Sequence, residues 1–273
     1  PVAGKVVWVT PTGAQGNRSK PLTDGFSGDV KLSSGTARTE DAALSTLGER
    51  KDKLAKAGEK YSKAATTVTL NATRVTGRTA KAAVTDGITA RLNDLAKMQT
   101  ALAGYKEVTD SARGTLTQVL SSDISGLTAL KTKVAGETTD AAVRADGKSM
   151  VDDYRVYILV APKVHLTRAL SAEAAAVTKL TTIHDELATR LAKDPQADTQ
   201  ANKDLLADIT VQLKAAGAAI DGKDQSLLAL KPGPDGKALS DAVKAVNGSA
   251  KTARDDLRKA VADAKKVRDA LKD

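Results

Sequence analysis

The stretch VTDGITARLNDLAKMQTALAGY, residues 84–105, decides the fold class. Its apolar side chains Val84, Ile88, Leu92, Leu95, Met98, Leu102 and Tyr105 return at steps of three and four. That step is the repeat of one face of an α-helix, whereas a strand with one buried side would alternate at every second residue. The spacing therefore predicts an amphipathic helix that must bury one stripe against a neighbour.

Toward the C-terminus the same period continues. A second helix is expected to start near Asp110 or Ser111, to carry Leu116, Leu120, Ile124, Leu127, Leu130 and Val134 on one side, and to end by Gly136. Residues 137–194 read as one long helix or two in line, marked by Val143, Met150, Tyr154, Tyr157, Val164, Leu170, Leu180, Ile183, Leu187 and Leu191. Pro162 interrupts this run. A proline inside a helix removes one hydrogen bond and clashes with the carbonyl four residues earlier, so a kink over residues 158–162 is expected. After a turn at Asp194, Pro195 and Gln196, a further helix holds Leu205, Leu206, Ile209, Leu213, Ala216 and Ile220 and stops around Asp221 and Gly222. The loop KPGPDG, residues 231–236, reads as a linker. A last helix runs from about Lys237 to the end, with Leu239, Val243, Val246, Ala250, Ala253, Leu257, Val261, Ala264, Val267 and Leu271 on a narrow stripe of the kind that suits coiled-coil contacts.

Toward the N-terminus, Leu47, Leu54, Tyr61, Val68 and Val75 recur every seven residues, with a break expected over residues 70–77, where Thr, Asn and Gly are poor helix formers, and a single long helix through them as the alternative. Residues 1–35 differ from the rest. They hold Trp8, Phe26, three prolines and six glycines, and KVVWVT, residues 5–10, has the β-branched and aromatic character of a short strand. A lone hairpin is marginal in water, so this extended arm is expected to pack on the helices or on a neighbouring molecule. The expected organisation is an arm over residues 1–35, a helical bundle over 36–230, a linker loop over 231–236, and a C-terminal helix over 237–273 packing on the bundle.

Composition agrees with thin helical packing. Of 273 residues 41% are hydrophobic but only 2% aromatic, and Ala with Leu suits helices about 8–10 Å apart better than a thick globular core. The fold class expected is all-α: an elongated multi-helix bundle with coiled-coil-like packing plus the N-terminal arm. The absence of Cys excludes a disulfide framework and thiolate chemistry. No apolar run approaches the length that spans a bilayer, so no transmembrane segment is expected. The net charge of +9 is spread among alternating acidic and basic residues, as on a solvated surface.

Residues that could carry chemistry are sparse. His165 and His184 lie too far apart in sequence for the paired spacing of a metal site, and read as packed or half-exposed histidines. His184 has Asp185 and Glu186 beside it, but consecutive helical residues point to different sides and are not expected to share a site. The same objection applies to the carboxylate pairs Asp152 with Asp153 and Asp255 with Asp256, which read as solvated faces. No Ser sits in a nucleophile elbow and no phosphate-binding glycine loop is present. The expectation is a non-enzymatic protein without catalytic residues, metal or cofactor. Lys251, Arg254, Arg258, Lys259, Lys265, Lys266 and Arg268 are the candidate contacts for an anionic polymer, although Asp255, Asp256, Asp263 and Asp269 are interspersed and no aromatic accompanies them.

The most apolar stretch, DYRVYILVAPKVHLTR at residues 153–168, resembles a segment of uncharacterised secreted helical proteins of high-GC Gram-positive bacteria, in which a Tyr-Arg-Val-Tyr run is followed by Pro-Lys. What that resemblance implies is a helical fold and export to the cell surface or medium. The chain begins at Pro1, which is compatible with a processed product whose signal peptide has been removed. In bulk the same stretch exceeds what one thin stripe requires, and is expected at the centre of the bundle or at a contact surface. The expected function is a structural or interaction protein, self-associating as an oligomer or filament or attached to the bacterial envelope. Val6, Val7, Trp8, Val9 and Phe26 of the arm are the candidate self-association contacts. Two alternatives are a binding module for cell-wall polyanion, nucleic acid or anionic lipid through basic helices, with nucleic acid the least expected, and a small-molecule carrier with its pocket around Tyr154–Val164.

Overall fold

The structure is a computed structural model that describes residues 80–271; the arm, its candidate contacts, the heptad stripe over Leu47–Val75 and the break after it lie outside the described residues. Among the described residues there are seven α-helices, one π-helical turn and no strand. They are α1 Ala80–Ala103, α2 Asp110–Gly136, α3 Asp140–Asp152, the π-helical turn Val156–Val160, α4 Ala161–Leu191, α5 Gln200–Ile220, α6 Lys223–Ala229 and α7 Gly236–Ala270. The described residues are thus all-α, as the period of residues 84–105 predicts.

Polar side chains set several helix starts. The first N–H groups of a helix have no intrahelical acceptor, and a Thr hydroxyl at the preceding position supplies one. Thr109 accepts from the Ala112 amide, Thr139 from Ala142 and Thr199 from Asn202. Asp235 does the same for α7 through the Ala238 amide at 2.9 Å. α5 ends before Gly222, whose φ of 63° is the left-handed conformation that glycine adopts at low cost.

The described residues fall into two compact units. In the first, formed by residues 80–165 and 226–244, α1 packs on α2 and α3, and α2 on α3. Its core is Ile88, Leu95, Leu102, Leu116, Leu120, Leu127, Val134 and Met150, joined by Val156, Val160 and Val164. The apolar stretch that follows Asp153 therefore stands in a core. Arg113 closes the α1–α2 turn by donating to the carbonyls of Leu102, Tyr105 and Val108, which would otherwise be loose ends of α1 and its turn.

The second unit, formed by Leu166–Gln225 and residues 245–271, buries Leu180, Ile183 and Leu187 of α4 with Ile209, Leu213 and Ala216 of α5 and Ala253, Leu257, Ala260, Ala264 and Val267 of α7. Alanine supplies much of the α7 seam, so this core is built from small volumes.

The structure corrects the expectation for residues 137–194. The helix is broken at Arg155, whose φ of 44° is left-handed, and not by a kink at Pro162. Pro162 is the second residue of α4, directly after the π-helical turn. The carbonyl that its ring would crowd in a straight helix belongs to Ile158, which lies inside the π-helical turn. There the Val160 and Ala161 amides reach back five residues, to Arg155 and Val156. The short helix α6 was not apparent in the sequence, because seven residues give too few turns to show a period.

Candidate functional site

Charged side chains inside a protein demand partners, so the places where they gather are the places to look for function. In the first unit they gather around the π-helical turn. Arg155, directly before the turn, donates from Nε to the Gly233 carbonyl at 2.7 Å and from Nη2 to the Pro234 carbonyl at 2.6 Å and to Asp152 Oδ1 at 2.7 Å. Asp152 also pairs with Lys148. Lys163, in the first turn of α4, is buried and donates to the carbonyls of Leu228 at 2.9 Å and Leu230 at 2.5 Å, at the C-terminal end of α6. A cation there meets carbonyls that have no helical donor.

Lys163 and Asp123 of α2 feel one another's charge. Burial lowers the Lys163 ammonium to about 8, with Lys231 adding to the effect and Asp123 opposing it. Burial likewise pushes the Asp123 carboxyl up to about 6, against the attraction of Lys163. Asp123 Oδ2 is buried without a hydrogen-bond partner. Tyr154 stands close to Asp123 and is raised by burial first and by Asp153 and Asp123 next. Its ring fills the place opposite Gly126, where a Cβ would lie 2.5 Å from the Tyr154 hydroxyl. On the other side of the turn the Arg91 guanidinium lies 5.0 Å from the centre of the Tyr157 ring, and the Tyr157 hydroxyl donates to Asp94 at 3.2 Å. Burial lowers the Arg91 pKa while Tyr157 and Asp94 oppose the shift.

The cations expected to contact a polymer are all in the second unit, on α7, and the structure divides them. Arg254 is buried, its Nε 3.0 Å from Glu173 Oε1, with 6% and 3% of the two side chains exposed. Arg268 is also buried and bonds Asp269. Arg258, Lys259 and Lys266 each pair with a carboxylate three residues earlier, Asp255, Asp256 and Asp263. Lys251 is exposed and Lys265 half-buried. Asp263 additionally accepts from Gln212 of α5 at 3.0 Å. The seven residues thus do not form one outward-facing patch.

The two histidines fall in different units. His165 is buried, and His184 sits between Thr210 Oγ1 at 3.2 Å and Asp185 Oδ1 at 2.9 Å. The contact with Asp185 joins two neighbours on the helix surface, with Asp185 itself exposed. Among the described residues no group of three or more His, Asp and Glu is placed to hold a metal ion, and no helix is long and apolar enough to cross a membrane.

No protein-family model, no curated protein and no solved structure matches this chain. The residues around the π-helical turn must therefore speak for themselves. Sequence reasoning passed over Arg155, Lys163 and Asp123. One signal was available: Lys163 is a charge inside the most apolar stretch of the chain, and such a charge is buried at a cost unless bonded. Arg155 and Asp123 carry no such mark, because nothing local distinguishes them from surface charges.

Proposed function

We propose that this chain is a non-enzymatic structural or interaction protein, exported and self-associating or attached to the cell envelope. In this reading the helices are a scaffold and residues 1–35 are the contact element. One observation carries the reading: among the described residues Val211 is the only large apolar side chain left exposed. Sticky surfaces on monomers reach about 300–600 Å² of contiguous apolar area, and a single valine falls far short of that. The candidate contacts in this reading are Val6, Val7, Trp8, Val9 and Phe26, apolar residues of a segment too short to bury them in a core of its own. The ion pairs along α7 favour this reading over the anionic-polymer alternative, because a cation already matched one turn away gains less from a phosphate. Export rests on the resemblance of residues 153–168 to secreted helical proteins.

Replacing Trp8 and Phe26 with Ser in the full chain tests the contact element. Light scattering is expected to show the oligomer of the parent chain falling to a monomer, with helix content unchanged by circular dichroism. An oligomer of unaltered mass would overturn the assignment.

A further inference from the structure

The stretch between α6 and α7, residues 230–235, is attached to the first unit in an unusual way. Two of its residues are proline and have no N–H to give. Its backbone bonds are local: Leu230 N–H to Leu227 O, Gly236 N–H to Pro234 O, and Leu239 N–H to Asp235 O where the segment runs into α7. Lys231, Pro232, Pro234 and Asp235 are exposed, and the apolar anchors, Leu227 and Leu228, precede the stretch. What ties it down is a pair of side chains reaching out from beneath. Arg155 holds the carbonyls of Gly233 and Pro234, and Lys163 holds those of Leu228 and Leu230. The fit at the Arg155 end is close, since a Cβ on Gly236 would lie 2.9 Å from Arg155 Nη1 and 3.3 Å from Ile158 Cδ1.

We propose that residues 230–235 form a strap that opens as a unit while the helices stay folded, with Arg155 and Lys163 as its two latches, and that opening uncovers the Lys163 amine. A segment held by few bonds, with its outer face in water and little apolar burial of its own, belongs to the low-stability end of a structure. Beneath it lies a lysine only 3% exposed, near enough to feel the charges of Asp123 on α2 and of Lys231 on the strap. The strap thus controls access to an amine that burial makes easier to deprotonate than a surface lysine. The left-handed Arg155 serves the same end: the residue that breaks the helix is the one that turns its guanidinium to the strap.

Two measurements on the full-length protein decide the matter. Amide exchange with increasing urea separates local from global opening: the hydrogen-bonded amides of Leu230 and Gly236 should exchange with little urea dependence, whereas the core amides of Leu120 and Leu127 should follow the global slope. Acetylation by acetic anhydride, read residue by residue by mass spectrometry, then probes the amine. Arg155→Lys and Gly236→Ala each weaken the latch that does not touch Lys163. Either should nonetheless speed Lys163 acetylation by about tenfold, the worth of one charge-assisted hydrogen bond, and leave the exposed Lys203 unchanged. Strap amides on the global slope, or Lys163 labelling unaltered in both variants, would overturn the proposal. If neither variant folds, the urea series on the parent chain decides alone.

Discussion

At the scale of single residues, the first unit holds two charges that its interior disfavours. The Asp123 carboxyl is raised from 3.8 to about 6, so the folded chain binds that proton more tightly than the unfolded chain does. Its contribution to stability therefore grows as pH falls from about 6 toward 4. Lys163 is lowered from 10.5 to about 8, so the folded chain releases its proton first and gains stability as pH rises from about 8 toward 10. Between the two values both groups are charged, and their mutual attraction only partly offsets the desolvation. Urea unfolding of the parent chain against Asp123→Asn should show the parent gaining relative stability below pH 6, and a comparison with Lys163→Met should show the gain above pH 8. A flat difference in either case contradicts the assigned environment. The pair Arg254 and Glu173 behaves differently, since neither member is exposed. Arg254→Met is expected to cost about 3–5 kcal/mol in chemical denaturation by leaving the Glu173 charge without that bond. Adding Glu173→Gln to it should recover more than half of the loss. Of these four residues only Lys163, set in the most apolar stretch, carried a mark of burial in the sequence; for the other three burial depends on what folds over them.

At the scale of elements, helix existence was legible and helix interruption was not. The seams through Val84–Leu102 and Leu116–Val134 return as α1 and α2 because the three-to-four step survives whatever the neighbours are, while Tyr105, the last residue of the first stripe, lies in the turn after α1. The break at Arg155 had no such signature, and Pro162 drew attention to the wrong place: a proline marks a boundary, and the sequence does not say which side of it is bent. Caps were half legible, with the start of α2 expected one or two residues after the Thr109 that sets it. Thr139→Ala should cost about 1 kcal/mol, through loss of the acceptor for the Ala142 amide, measured by thermal or urea unfolding. Close approach is the second property of the elements. A Cβ on Gly147 of α3 would lie 3.0 Å from Val84 Cγ2 of α1. Gly147→Ala is therefore expected to destabilise by about 1–3 kcal/mol through overpacking, and to become neutral or stabilising when Val84→Ala makes room. A loss that persisted in the Val84→Ala background would refute close packing as its cause.

At the scale of the whole molecule, the described helices consume their own apolar surface. The first unit closes over leucines from α1 and α2, the second over alanines of α7 against leucines and isoleucines of α4 and α5. The membership of these units is discontinuous in sequence, and periodicity cannot reveal it, because a stripe tells which face is buried and not which partner buries it. The same limit applies to the cations of α7: composition showed a basic helix, but only the fold shows that Arg254 and Arg268 are turned away from water. In the proposed reading the described helices, with Val211 their one exposed large apolar side chain, serve as scaffold, and the N-terminal arm supplies the adhesive contacts. Removing residues 1–35 and comparing the mass of the two chains by light scattering tests this claim most directly. The full chain should associate and the shortened chain, still helical by circular dichroism, should be monomeric; equal states of association in the two would contradict it.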